Sequence, residues 1–541
     1  MGDIEQQRPQ RHNNTNGTKV VLNRNESLKN DIQNGDEISL NGDAENIISR
    51  ADELSELIES VRKIVHSFIQ SADNAVKGKE IGQSPFLPGT KRVAILDPHS
   101  PATLQDILKL QLPEKSITKD DLFGLIQQIF QYSVNTWDQG FVDKLYHSTD
   151  AIGVVAEMIL AVLNTNVHVF QTSPVLTLIE KKTGRGLAHL FGLNGPHAGG
   201  ITQPGGSASN MSAIIIARNH LFPEIKTDGY GDRKLVIFTS EDSHYSIEKA
   251  AQICGFGSKA VVKVPVDSAG CMIVGELQNA IDSARIDGFT PFFVNATAGT
   301  TVLGSFDPLP EISNICKKEN LWMHVDGSYG GGFVFSETLS KGRLDGAELA
   351  DTITMNPHKM LGAPVTTSFL LYKDEREVHG AMTLPAGYLF HNNDEGEVWD
   401  LADLTPQCGR RGDSLKMFLG WNFYGRQGYA KMIENAYSVA QHLYGLLENH
   451  PDIILVSRQP LPALQVSFYW ARNRQLGQDA AKNTQVTRSI AAALIKRGFM
   501  TDYAPAAYGK HLRVVIGRQT RLVTVEGLVK AIEGVANELD L

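Results

Sequence analysis

The chain has 541 residues, with 51 Lys+Arg against 60 Asp+Glu and a formal net charge of −9. An acidic balance argues against a nucleic-acid partner or an anionic membrane surface, since both require a basic face. Hydrophobic residues at 42% and charged residues at 21% describe a globular protein, long enough for two or three domains around a large core.

Residues 1–48 are rich in Asn, Asp and Gln and poor in aromatics, so they bury too little surface to order themselves and are expected to form a disordered polar tail. The first residues carry no apolar signal-like stretch, so the N-x-S/T triplets at Asn13, Asn16 and Asn25 lack the compartment in which they would matter. Cys254, Cys271, Cys316 and Cys408 show no CxxC spacing, which fits reduced thiols in a cytoplasmic protein with no metal site.

Residues 49–148 form a helical N-terminal segment. Leu54, Leu57, Ile58, Val61, Ile64, Val65, Phe68 and Ile69 recur at three- and four-residue spacing, one apolar helix face that needs a domain or a partner subunit to cover it. Pro85, Pro88, Gly89 and Pro98 interrupt regular structure between Ser84 and His99. Ala151–Leu163 is apolar but too short to cross a bilayer and carries Glu157, so it is expected to be a buried helix.

Residues 149–412 alternate helical stretches with the apolar runs Lys234–Phe238, Ala260–Val264, Phe292–Asn295, Trp322–Val325, Thr352–Met355 and Ser368–Tyr372. Near-continuous apolar strands between helices indicate an α/β domain built on a mostly parallel sheet covered on both faces. Residues 413–541, with a helix at Asp413–Asn449 and strands at Ala463–Trp470 and Leu512–Ile516, indicate a smaller α+β domain.

Lys359 follows the strand Thr352–Met355 in Asn356-Pro357-His358-Lys359. A lysine at the end of a buried strand is poorly solvated, which lowers its pKa and makes its amine available to an aldehyde. Asp326 ends another strand and is followed by Gly327, Ser328 and a run of glycines, so a flat ring can approach its carboxylate. Paired with a pyridine nitrogen, it would keep that nitrogen protonated. His324 alternates with Asp326, but with no third ligand nearby a metal reading is weak. Gly205-Gly206-Ser207-Ala208-Ser209-Asn210 opens an apolar helix whose N-terminal amides suit an anion, although such a turn is often only a cap. His244, after the run Lys234–Phe238, has a flat side chain suited to stack on a ring.

In order and spacing, PGGSASNM, TSEDSHYSIEKA, VNATAGTTVLGSFDPL, LWMHVDGSYGGG, NPHKMLGAP and QCGRRGDSLK resemble the group II decarboxylases that depend on pyridoxal phosphate (PLP), over residues 125–541. The glutamate, cysteine-sulfinate and aspartate decarboxylases are the most similar. The resemblance implies a PLP-dependent transferase fold of the aspartate-aminotransferase type, with a seven-stranded sheet, and a homodimer with active sites at its interface. It implies Lys359 as the lysine holding PLP as a Schiff base, Asp326 on the pyridine nitrogen and His244 stacked on the ring. Ser207, Ala208 and Ser209 match the phosphate loop, Thr352 and His358 further phosphate contacts, and Thr297 the position near the 3′-hydroxyl. Arg513 matches the arginine that receives a substrate carboxylate.

Three departures bear on the reaction. The family's loop after Tyr388-Leu389-Phe390 carries a tyrosine that returns a proton to the substrate carbon; here no second tyrosine precedes Gln407-Cys408-Gly409-Arg410. Trp399 lies nearest that place and is no acid, which leaves His391 or His244. A family glutamine that reads the distal carboxylate aligns with Lys144, whose longer charged arm favours a shorter anionic side chain. Ser328 adds a hydroxyl under the ring where the family has alanine.

The resulting expectation is decarboxylation of L-aspartate to β-alanine. The alternatives are L-glutamate to γ-aminobutyrate and cysteine sulfinate to hypotaurine. With the loop tyrosine absent, decarboxylation-dependent oxidative deamination to an aldehyde is a further reading. The non-enzymatic one is a degenerate PLP-fold interaction protein.

Overall fold

The structure, a computed structural model, describes residues 49–108, 110–384 and 398–541. Val61–Leu541 form one compact unit; the described part of the preceding unit is helical from Arg50.

Among the described residues the strands are β1 (Phe141–Val142), β2 (Gly199–Gln203), β3 (Leu235–Ser240), β4 (Val261–Val264), β5 (Thr290–Thr297), β6 (Trp322–Gly327), β7 (Thr352–Met355), β8 (Ser368–Tyr372), β9 (Ile453–Leu455), β10 (Gln465–Trp470), β11 (Met500–Ala504) and β12 (His511–Val515). Seven of them make one sheet in the order β2-β8-β7-β6-β5-β3-β4, in which only β8 runs against the others. Its central strands bury both faces: Val236 and Phe238 join one core cluster, while Leu235 and Ile237 join the other. That explains why their sequences are continuously apolar rather than alternating. The second sheet, β1-β11-β12-β10-β9, is antiparallel apart from the β1–β11 pair.

The helix Arg50–Lys79 ends in a buried anchor. Lys79 Nζ lies 2.7 Å from Asp138 Oδ1, both side chains are fully buried, and Nζ also donates to Ser84 Oγ. This fixes the stretch before β1, where Trp137 and Gln139 line a narrow recess that also reaches Lys359.

Ala151–Leu163 is a helix with the expected bounds, but it is not buried. Only Gly153, Ala156 and Leu160 are inside; Val155, Met158, Ile159, Val162 and Leu163 are exposed, and Val175 and Leu178 beyond them are exposed too. Asp150 caps the helix by accepting from Gly153 N at 2.9 Å. Apolar composition alone does not separate a core helix from one whose apolar face is left for a partner. No helix among the described residues is long and apolar enough to cross a membrane.

Candidate active site

The parallel strands end on one edge of the large sheet, and the loops leaving that edge enclose a cavity of about 260 Å³. Thr297 ends β5, Asp326 lies near the end of β6, and Asn356, His358 and Lys359 follow β7. His244 and Tyr245 follow β3, and Gly206, Ser207 and Asn210 come from the start of the helix Gly206–Leu221. The carboxyl edge of a parallel sheet is where open α/β folds bind ligands.

Two glycines shape the opening of that helix. Gly205 has φ of 106°, which favours glycine, and a Cβ on Gly206 would come within 2.6 Å of Asn356 Nδ2 and 2.8 Å of Ser328 Oγ. The turn is therefore held bare of side chains where it meets the cavity.

Asp326 is buried and oriented from two sides: Oδ1 accepts from Ser328 N at 3.1 Å and Oδ2 from Asn210 Nδ2 at 2.9 Å. Behind Asn210 runs a directional chain. Trp322 Nε1 donates to Thr352 Oγ1 at 3.0 Å, Thr352 Oγ1 faces His324 Nδ1 at 2.9 Å, and His324 Nε2 faces Asn210 Oδ1 at 3.1 Å. Complete burial pushes His324 down to about 4, so the ring is neutral. Its single proton then sits on Nε2, the nitrogen facing an acceptor that cannot donate. Every donor in the chain thus points towards Asp326.

Burial would raise Asp326, but the nearby charge of Lys359 and the Ser328 hydrogen bond hold it below the usual carboxylate range. Lys359 is displaced downwards by burial, with Asp326 partly opposing that. His244 is lowered by burial as well, and its Nδ1 accepts from Ser246 N at 3.2 Å, leaving the proton of the neutral ring on Nε2. Two buried oxygens at the cavity, Thr297 Oγ1 and Asn356 Oδ1, have no hydrogen-bond partner. Thr297 is held from behind, where Asp307 Oδ2 accepts from its amide at 2.7 Å and burial raises Asp307 to about 6.

The sequence-derived residues divide on these positions. Lys359, Asp326, His244, Ser207, Thr297, Ser328 and His358 line the cavity. Ala208 and Ser209 do not: their amides donate to Gly205 O within the first helical turn, and Ser209 Oγ pairs with Ser368 Oγ at 2.8 Å. Thr352 is corrected too, because it starts β7 at the end away from the cavity and serves His324. Lys144 does not line the cavity; its Nζ makes ion pairs to Asp502 at 2.9 Å and Asp143 at 3.5 Å. Arg513 stands behind the cavity wall, where its Nη1 donates to the carbonyl of the lining residue Thr301 at 2.7 Å. Trp399 packs edge-on to Phe170 at 5.7 Å with Lys181 Nζ over its ring, away from the cavity. Tyr388, Leu389, Phe390 and His391 lie outside the described residues.

Sequence reasoning missed Asn210 and Asn356, although both stand inside the motifs PGGSASNM and NPHKMLGAP.

The pyridoxal-dependent decarboxylase conserved domain matches residues 101–470. L-aspartate decarboxylase dtxS4 of Metarhizium robertsii is 46% identical over 500 residues, covering 92% of this chain and 99% of that protein. Glutamate decarboxylase-like protein FG08083 of Gibberella zeae is 38% identical over 467 residues, covering 79% and 90%. Among solved structures, mouse CSAD superposes with a TM-score of 0.80 at 29% identity, covering 90% of this chain and 99% of that one.

Proposed function

The chain belongs to the pyridoxal-dependent decarboxylase family, and on that premise we propose that it removes the α-carboxylate of L-aspartate to give β-alanine and CO₂. It is a PLP-dependent amino-acid carboxy-lyase with the aspartate-aminotransferase-like fold; the aspartate side chain is the part proposed.

The residues present fit the cofactor. A cavity of about 260 Å³ has an ionised, doubly oriented carboxylate in Asp326, an amine of lowered pKa in Lys359, and two buried oxygens without partners. Asp326 would hold the ring nitrogen, Lys359 would bind covalently through Nζ, and His244 would cover the ring. Ser207, His358 and Asn356 would surround the phosphate, with Thr297 and Ser328 beside the ring. When bound, PLP accepts the electron pair released as the bond from Cα to the carboxylate breaks.

The protein's own part is positioning and proton control. Asp326 keeps its charge because Lys359 lies near it and Asn210 Nδ2 and Ser328 N each donate to one of its oxygens. Burial leaves Lys359 a usable nucleophile, and it is free to give up and recover a proton. His244, neutral with its proton on Nε2, is our candidate for returning a proton to the substrate carbon.

The observation that carries the choice of the small diacid L-aspartate is the 46% identity, over 92% of this chain, to a relative named as an L-aspartate decarboxylase. Arg513 and Lys144 are already paired with Asp502 outside the cavity lining and do not carry it. The relative named as an L-aspartate decarboxylase supports the four-carbon member, and the glutamate decarboxylase-like relative makes L-glutamate the second reading. Turnover of L-aspartate, L-glutamate, cysteine sulfinate, L-tyrosine and L-tryptophan, with products identified by mass, tests this. β-Alanine from L-aspartate at the highest kcat/KM is expected, and preference for an aromatic substrate overturns it.

We also propose a homodimer, which the exposed apolar residues around Met158 and Val162 support. Four free cysteines suit the reducing setting of the cytoplasm.

A further inference from the structure

Lys359 sits in a tight turn. Its amide donates to Asn356 O at 3.0 Å, and Ala363 N closes the turn onto Pro357 O at 3.2 Å. Three residues after the lysine, buried Gly362 takes φ of 66°, in the left-handed region that favours glycine. A Cβ there would come within 2.6 Å of Arg518 Cζ, so the guanidinium packs directly on the bare backbone of the turn. Arg518, Gly362 and Lys359 also line one narrow recess together.

Arg518 is itself held. Its side chain is 6% exposed, Nη2 lies 3.3 Å from Asp150 Oδ2 in a buried ion pair, and Nη1 donates to Met432 Sδ at 3.2 Å. The other carboxylate oxygen of Asp150 caps the helix Ala151–Leu163 through Gly153 N. That helix meets the chain beyond Lys359 at two further points. A Cβ on Gly153 would lie 2.8 Å from Pro364 Cδ. Glu157 Oε1 pairs at 2.7 Å with Lys416 Nζ, which donates to Thr366 O at 3.0 Å. The turn is thus backed by a guanidinium whose own place is fixed by charge. Neither Asp326 nor the Gly205–Asn210 turn enters these contacts.

We propose that Arg518 is a positioning residue for Lys359: clamped by Asp150, it sets the backbone of the turn and so the placement of the lysine amine against the aldehyde carbon of PLP. A buried ion pair suits this task, because moving either partner away strands the other as an unpaired charge. The proposal rests on the reading of Lys359 as the residue that holds PLP covalently.

The test adds PLP to full-length apoprotein and measures two quantities. Equilibrium dialysis gives the PLP affinity, and near-visible absorbance per bound PLP gives the share held covalently. In Arg518→Met the affinity is expected to fall about tenfold, within the range by which residues in contact couple, and the covalent share to fall with it. In the Lys359→Ala background the same change should leave the affinity within about twofold, since the residue through which it acts is gone. A general weakening of the fold would lower affinity equally in both backgrounds. Asp150→Asn still caps the helix and releases the guanidinium, so it should lower the covalent share in the same sense; it also serves if Arg518→Met does not fold. An unchanged covalent share in the folded variants, or the same affinity loss with and without Lys359, overturns the proposal. If Lys359→Ala alone keeps the absorbance of covalently held PLP, the reading of Lys359 fails and the proposal falls with it, whereas failure confined to the Arg518 and Asp150 variants sinks the proposal alone.

Discussion

Asn210 donates its side-chain amide to Oδ2 of Asp326 at 2.9 Å, and its carbonyl oxygen faces Nε2 of His324 at 3.1 Å. One asparagine thus converts the neutrality of a buried histidine into a fixed orientation for a charged aspartate. Asn210→Leu keeps the approximate volume and leaves both Asp326 Oδ2 and the His324 N–H without that partner. An unpaired buried polar group costs about 1–3 kcal/mol. PLP affinity is expected to fall about tenfold, and kcat with it, while far-ultraviolet circular dichroism stays unchanged. Titration of the apoprotein with PLP, followed by absorbance, reads this; an unaltered cofactor affinity would refute the role given to Asn210.

Lys359→Ala removes the amine from a cavity where Asp326 supplies the opposing charge. The variant is expected to lose the near-visible absorbance of covalently held PLP and all measurable turnover. Residual PLP binding through the other cavity residues should persist, because Asp326 and the Gly205–Asn210 turn are untouched. Retained turnover would show that another group carries the cofactor.

The large sheet was readable in the sequence because its strands are apolar on both faces, and all six runs named from Lys234 to Tyr372 are strands within a few residues. β2 was missed because Gly199-Gly200-Ile201-Thr202-Gln203 has the composition of a turn, yet it pairs with β8 along its whole length. Lys359 and Asp326 were legible because each ends an apolar run inside a specific motif. The Thr352–His324–Asn210 chain was not, since its members lie on a different strand or helix each and touch only through the fold.

Four histidines, His147, His324, His358 and His511, are pushed down to about 4 by burial, from an ordinary value of 6.5. Between pH 6.5 and 4 the unfolded chain binds protons at these sites and the folded chain does not, so their contribution to stability is lost as pH falls through that window. Asp307 acts in the opposite sense, since its carboxyl is raised to about 6 and takes up its proton first in the folded state. Asp143, Asp242, Asp351 and Asp413 are also raised by burial and act with Asp307, so the histidine contribution is read from a histidine variant at constant ionic strength rather than from the net slope. Both ring nitrogens of His511 are buried without partners. His511→Phe should therefore raise Tm more at pH 5 than at pH 7, whereas an equal change at both would contradict the assignment.

Val155, Met158, Ile159 and Val162 expose apolar side chains on a helix that is otherwise well formed and capped. Exposed apolar side chains grouped on one folded helix fit the proposed homodimer interface. Met158→Glu combined with Val162→Asp places two charges there without touching the buried Ala156 and Leu160. Light scattering after size exclusion should show a dimer for the unaltered protein and a shift to monomer for the variant. A variant that stays dimeric at low micromolar concentration would place the interface elsewhere.

Arg410 and Glu180 form an ion pair with side chains 4% and 1% exposed. Glu180 Oε1 also accepts from Thr202 N at 2.9 Å and Thr202 Oγ1 at 2.8 Å, while Arg410 Nη1 donates to Val167 O at 2.8 Å. The pair therefore ties the segment after residue 398 to β2, to the helix Pro174–Leu190 and to the loop following Ala151–Leu163. Breaking a buried pair from one side leaves an uncompensated charge, at a cost of about 3–5 kcal/mol. Arg410→Met should lower stability by about that much, read from denaturant midpoints at constant slope. Glu180→Leu added to Arg410→Met removes the stranded charge, and the double variant should recover most of the loss because the desolvation penalty disappears with it. If the two changes simply added, the residues would be acting independently, and the link between β2 and the segment around Arg410 would rest on packing rather than on charge.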